Sequence, residues 1–256
     1  MFKMSSENEG KKKSDRDYYF DAYDEIQNQP IDHGHYENVY QFKIVLQDVK
    51  PNIWRRILVP ENFDFRELHL AINHSMGWFN THMHQFRIKN PDTGEKETIG
   101  KLEEEFVPDV CSRERFKPSD IPETNTKISD YFKTPNYKAL YEYDFGNQWE
   151  HVIVFEQILP RDPNTTYPKC IDGKRACAIE NTGGPIGYKR MLEILSNPNH
   201  PEYKNQKKNL SINGGVEAKD FNPNEFDIES IDFYDSDKQK ELCHGTGMCQ
   251  RGCPIM

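Results

Sequence analysis

No run of about 18 apolar residues, the length a membrane-spanning helix requires, occurs anywhere in the 256 residues of this chain. The opening Met1-Phe-Lys-Met-Ser-Ser-Glu-Asn-Glu-Gly10 also lacks the apolar stretch of a secretory signal. Both absences place the expected location inside the cell, in the cytoplasm or nucleus. Cysteine is scarce. Its six residues, Cys111, Cys170, Cys177, Cys243, Cys249 and Cys253, lack the dense spacing of a disulfide scaffold, so free thiols or metal ligands are expected. Positive charge is in deficit, with 33 basic against 42 acidic side chains and a formal net charge of -9. A chain short of cations has little with which to displace counterions from a phosphate backbone, which disfavours nucleic acid as a partner. Internal repeats and low-complexity tracts are missing as well.

What is present divides the chain. Only 35% of residues are hydrophobic while 29% are charged, so part of the length is expected to be solvated tail rather than core. Residues 1–37 read as a disordered or loosely docked tail, with Tyr18, Tyr19, Phe20 and Tyr23 as its docking candidates. Residues 38–235 read as one domain and 236–256 as a Cys/His-rich C-terminal tail. Tyr40, Phe42, Ile44 and Leu46 recur at period two, and Gln47–Asn52 supplies a turn before Ile53–Val59, which predicts a hairpin. Asp64 and Glu67 form a capping-box pattern, with Phe63 and Leu68 as its hydrophobic staple. Leu68, Ala71, Ile72, Ser75 and Met76 then follow a helical stripe that Gly77 ends. Strands are predicted over Thr81–Lys89, Tyr141–Phe145 and Trp149–Leu159, a short helix over Ile128–Phe132, and a helix around Tyr188–Leu195 stopped by Asn197-Pro198. Phe221–Phe226 reads as a docked turn. The fold class is α+β, a curled mixed sheet with a β-grasp-like start of strand, strand, helix, strand, and one or two packed helices.

In a strand, His82, His84 and Phe86 share a face, so two imidazoles can converge on a ligand or metal; satisfied rim histidines are the alternative. Trp149, His151, Ile153 and Phe155 share another face, where Trp149 and Phe155 read as core and His151 as the polar exception. On this reading, removing Trp149 costs far more stability than removing His84. Asp144, beside Gly146, can cap its turn or orient a histidine. Gly183-Gly184-Pro185 opens a helix and can offer N–H groups to an anion. Arg175 and Glu180 can pair with each other or meet a substrate, and Cys170 and Cys177 are too far apart for a redox pair.

Eight ordered blocks carry a resemblance. They are Pro51-Asn-Ile-Trp54-Arg55-Arg56; Met76-Gly-Trp78 with His82-x-His84-x-Phe86; Tyr143-Asp-Phe-Gly-Asn-Gln-Trp149-x-His151; Pro168-x-Cys170-x-x-Gly173-x-Arg175; Glu180 before Gly183-Gly184; Gly187-Tyr188; Asn197-Pro198-x-His200; and Phe221-Asn-Pro223-x-x-Phe226-Asp227. Together they resemble the pRiA4b ORF-3-like family, named after a plasmid open reading frame, over roughly Val39–Asp227. The resemblance implies a mixed α+β fold on a curled sheet and, for some members, association with mobile elements. This chain departs from the family pattern at Asn147, Asn181 and Asn222, where aspartate is usual, and at Ala178-Ile179, where a proline pair is usual. An amide keeps a turn's hydrogen bonds and loses the charge that general-base chemistry needs. The tail resembles a degenerate SEC-C-type zinc tail, with Cys243, His244, Cys249 and Cys253 as four ligands for zinc; a flexible thiol-bearing end is the alternative.

Three functions are weighed on these grounds. The first is a non-catalytic binding module whose groove, drawn from Trp78, His82, His84, Asp144, Trp149, His151, Arg175, Gly183 and Gly184, receives a protein, peptide or small polar ligand. The second is a metal-dependent enzyme using His82, His84 and His151 with Glu180 as candidate general base. The third is a mobile-element-associated, DNA-handling accessory protein, which the acidity opposes. Whether the three imidazoles reach one centre discriminates the first two.

Overall fold

In the computed structural model the described residues are 33–101, 120–214 and 221–234. The expected Cys/His tail at 236–256, the aromatic cluster of Tyr18–Tyr23 and Cys111 lie outside them. Residues 33–37, the end of the expected N-terminal tail, pack on the body. Tyr36 is buried edge-on against Tyr167 under the Arg161 guanidinium, and the His33 ring lies 4.7 Å from that of Phe63.

The hairpin forms as the alternation predicts, from β1 (Asn38–Leu46) and β2 (Trp54–Pro60). Tyr40, Phe42, Ile44 and Leu46 all face the core, with Phe42 opposite Ile57 and Tyr40 opposite Val59. Helix α1 (Phe65–Met76) starts on the complete capping box: Asp64 Oδ1 accepts the Glu67 N–H at 2.9 Å, and Glu67 Oε2 accepts the Asp64 N–H at 2.8 Å. It ends at Gly77 in the left-handed conformation, φ 69°. Strand β3 (His84–Lys89) begins three residues after Thr81, the predicted start, and Asn80 just upstream has φ 54°. Helix α2 (Ile128–Tyr131) and strand β7 (Trp149–Pro160) lie where expected; strand β6 (Lys138–Tyr143) begins three residues before the predicted Tyr141 and ends before Asp144, and helix α3 (Gly184–Leu195) begins four residues before Tyr188.

Four elements escape the sequence pattern: β4 (Lys96–Gly100), β5 (Ile121–Pro122), β8 (Lys169–Lys174) and α4 (Tyr203–Gly214). Each lies at a margin and contributes little to the core. Strand β8 sends only Cys170 inward and α4 chiefly Leu210, so neither shows the periodicity that reveals a half-buried element.

One eight-stranded sheet results, in the order β5-β4-β3-β6-β7-β1-β2-β8, antiparallel except for the β4–β5 pair. The α+β class and the strand, strand, helix, strand start hold, but β3 does not join β1; the β6–β7 hairpin lies between them. One face carries the core, in which Phe42, Phe86, Tyr141, Trp149 and Phe155 pack with Leu68 and Ile72 of α1. The other face is largely polar, apart from a small cluster of Tyr36, Val39, Leu58 and Tyr167. There Arg56 pairs with Glu156 at 2.7 Å and Asp172 at 2.8 Å, and Arg87 pairs with Glu150. Pairing of His84 with Tyr143 and of Tyr143 with Trp149 brings the expected site residues to one end of the sheet.

Candidate functional site

The three expected imidazoles part company. His84, the first residue of β3, points inward, with Nε2 2.5 Å from Glu123 Oε2. Burial depresses its pKa to about 3 and raises that of Glu123. The His84 ring stacks on His69 of α1, with centroids 3.3 Å apart and planes 4° from parallel. His69 Nε2 lies 2.8 Å from Asn80 Oδ1 and Nδ1 2.7 Å from the Tyr141 hydroxyl; Asn73 Nδ2 donates to that hydroxyl at 2.9 Å. These partners assign a neutral His69 with its proton on Nε2. His69 and Asn73, four residues apart beside the apolar stripe of α1, are both buried polar residues.

His151 lies beyond Tyr141, wholly buried and in a T-shaped contact with Trp78 at 5.2 Å, and among the described residues neither ring nitrogen has a hydrogen-bond partner. Burial alone pushes its pKa down to about 3. His82 precedes β3 and therefore does not share its face with His84. Its Nε2 is 3.5 Å from Asp144 Oδ2. Among the described residues no group of three or more His, Cys, Asp or Glu side chains is placed to hold a metal ion. The expected convergence of His82, His84 and His151 is thus corrected: two are core residues on opposite flanks of Tyr141 and the third lies ahead of β3, near Asp144.

Asp144 takes the capping role, at φ 57°. Its Oδ1 accepts N–H groups of Gly146 and Asn147 at 3.2 Å each, and its Oδ2 accepts from Asn147 Nδ2 at 2.6 Å. Trp149 is core. Gly183 and Gly184 have φ 85° and 70°, and a Cβ on Gly184 would sit 2.2 Å from the Asn147 carbonyl oxygen. The close approach of two loops accounts for that glycine. Arg175 is buried and donates from Nη1 to the Pro51 carbonyl at 2.6 Å; among the described residues it makes no ion pair with Glu180.

Trp78 and Glu180 behave differently. The Trp78 indole stacks on Tyr143, 5.0 Å between centroids, and its Nε1–H donates to the Ala178 carbonyl at 2.8 Å, fixing the 176–180 loop. Glu180 Oε1 accepts the Tyr143 hydroxyl at 2.7 Å, while among the described residues its buried Oε2 has no hydrogen-bond partner. Burial raises its pKa against the opposing pull of Tyr143, the Phe79 N–H and His82. Both residues line a cavity of about 340 Å³ between the C-terminal end of α1, the 176–180 loop and the 221–231 segment. His82, His84, Asp144, Trp149, His151, Arg175, Gly183 and Gly184 do not line it.

Two wall residues carried no role in the sequence reading. Arg55 is 2% exposed; Nε donates to the Ser75 carbonyl at 2.9 Å and Nη1 to those of Trp54 and Lys174 at 2.9 and 3.2 Å. The Phe226 ring lies 4.1 Å from its guanidinium and packs on Gly173, where a Cβ would be 2.5 Å from the ring. The Arg55–Phe226–Gly173 stack holds the 221–231 segment in place, and it joins three of the sequence blocks that carry the resemblance.

The family model described as plasmid pRiA4b ORF-3-like protein matches residues 38–230. The chain belongs to the pRiA4b ORF-3-like family. It is 30% identical over 167 residues to the uncharacterized protein y4hQ of Sinorhizobium fredii (strain NBRC 101917 / NGR234), a match spanning 65% of this chain and 77% of that one. It also resembles the crystal structure of MM3350, a protein of unknown function from Methanosarcina mazei Go1, with a TM-score of 0.64 and 38% identity over 77% of this chain and 99% of that one. Asn147, Asn181 and Asn222 lie in or at the start of turns. Asn147 Nδ2 donates to Asp144 and Asn222 Nδ2 to Glu225, at 2.6 Å each, while Asn181 has φ 59°. An amide performs these donations directly, whereas an aspartate would first have to bind a proton. Among the described residues no helix is long and apolar enough to cross a membrane.

Proposed function

We propose that this pRiA4b ORF-3-like domain is a non-catalytic binding module that holds a small polar ligand, or one side chain of a peptide, in the cavity walled by Arg55, Trp78, Glu180 and Phe226. The observation that carries the reading is Glu180, which lines that cavity and whose buried Oε2 has no hydrogen-bond partner among the described residues. Leaving such an atom unsatisfied costs about 1–3 kcal/mol, and a ligand's donor group removes the penalty. Stored strain of this kind is common where a protein is organised for something other than stability.

Glu180→Gln tests this without knowledge of the ligand. The amide keeps an oxygen for the Tyr143 hydroxyl and removes the charge, so thermal unfolding should show the variant as stable as the parent or more so. Were Glu180 a structural anion, the variant would lose about 3 kcal/mol or more, as broken buried pairs do, and the reading would fall.

A zinc-binding tail at Cys243, His244, Cys249 and Cys253 is a separate proposal, resting on the spacing of those residues in the sequence. Zinc-bound thiolates should resist alkylation and become reactive together when a chelator is added. Alkylation of all three cysteines at full rate in zinc-loaded protein would dispose of it.

A further inference from the structure

The lining of the cavity is unequal in charge. Three carboxylates, Glu180, Glu225 and Asp227, meet one permanent cation, Arg55. That cation already has its partners: three backbone carbonyls receive its Nε and Nη1, and the Phe226 face covers its plane. An incoming anion would gain from Arg55 only in opposition to three carboxylates. A cation meets the reverse situation. Glu225 and Asp227 are exposed at the mouth and Glu180, 3% exposed, lies deep. The Tyr143 hydroxyl fixes Glu180 Oε1, so the carboxylate is oriented before a ligand arrives, which lowers the ordering cost of binding. The remaining wall includes Trp78, Phe79 and Met76, apolar surface suited to an alkyl stem. A volume of about 340 Å³ falls at the small end of ligand sites.

We propose that the ligand of this cavity carries an alkylammonium group, received at depth by Glu180 Oε2 and drawn in at the mouth by Glu225 and Asp227. This rests on the cavity's being the binding site, as argued above. Free small amines and lysyl side chains both present the group, and the experiment separates them. No bond is made or broken; the ammonium donates hydrogen bonds to the unpartnered oxygen in place of water.

The test uses the intact protein and four probes: n-butylammonium, N-acetyl-lysine-methylamide, butyrate and n-butanol. Nuclear magnetic resonance titration reads them at the Trp78 Nε1–H, which lies beside the cavity. At least one ammonium probe is expected to bind and to weaken about tenfold or more in Glu180→Gln, the loss of one charge-assisted contact. A Glu225→Gln/Asp227→Asn variant, changed only at exposed positions, should bind severalfold more weakly and lose most of the salt dependence. Should Glu180→Gln fail to fold, this second variant decides. If both ammonium probes bind, a lysyl side chain fits; if only n-butylammonium does, the ligand is a free amine. Binding of butyrate in preference to the ammonium probes would overturn the cation while leaving the module intact. So would equal binding of butanol, or ammonium binding indifferent to the variants. Failure of every probe to shift the indole would overturn the cavity reading as well.

Discussion

Trp149→Ala is expected to lower the free energy of unfolding by about 3–5 kcal/mol, the range for truncating a buried aromatic side chain. Trp149 is wholly buried, opposite Tyr143 in the sheet and within 5.8 Å of Trp78 and 6.5 Å of Tyr188 between ring centroids. Among the described residues its Nε1 has no hydrogen-bond partner, so the cost is one of lost packing rather than a lost hydrogen bond. For a domain of this size that corresponds to roughly 6–20 °C of melting temperature, readable by calorimetry, and a loss below about 1 kcal/mol would contradict the core assignment. The same experiment on His84→Ala departs from the expectation that a site histidine is cheap to remove. Truncation would strand the Glu123 carboxyl and the upper face of His69 in the core, so a loss comparable with that of Trp149→Ala is expected.

Acidification should unfold the domain well before its carboxylates titrate as a group. His151 and His74 are held by burial at about 3 and 4, and His69 and His84 are likewise depressed, whereas an unfolded histidine titrates near 6.5. Each stays neutral in the fold while its unfolded counterpart takes up a proton. The stability it contributes is therefore complete above about pH 6.5 and is lost as pH falls towards the folded value, at up to about 1.4 kcal/mol per pH unit for each group. Glu123 and Glu180 are raised and act in the opposite sense, gaining stability on acidification, two groups against four. Melting temperature should accordingly decline between pH 6.5 and 4. A His151→Leu variant, which removes one of the four, should decline less steeply; identical slopes, or a flat profile over that range, would refute the account.

How legible this was depended on how regular each stretch is. Asp64 and Glu67 stand at fixed spacing with one geometric meaning, and they form the capping box they announce. Tyr40 to Leu46 alternate because one face of β1 is dry, and that face is found where the alternation puts it. Pairing His82 with His84 failed because the face rule holds only inside a strand. Asn80 has positive φ, and the strand begins only at residue 84. His151 was correctly singled out as the polar exception on an apolar face, but only tertiary packing shows that neither of its nitrogens has a hydrogen-bond partner among the described residues. Trp78 and Glu180 were found from their blocks. Arg55 and Phe226 stood in blocks too, yet their stacking joins residues far apart in sequence, which no local pattern encodes.

The 221–231 segment has a second consequence, for association between molecules. An open sheet offers two strand edges on which another chain can add. At one end β5 is only two residues long and its second, Pro122, has no N–H to donate. At the other end β8 is longer, but Ile228, Glu229, Ile231, Asp232 and Phe233 line the same cleft as Lys169–Ile171, alongside that strand. Phe226, clamped between Gly173 and Arg55, anchors this cover just upstream. The stretch that walls the cavity thus also shields the longer edge, and releasing it would expose a template for self-assembly.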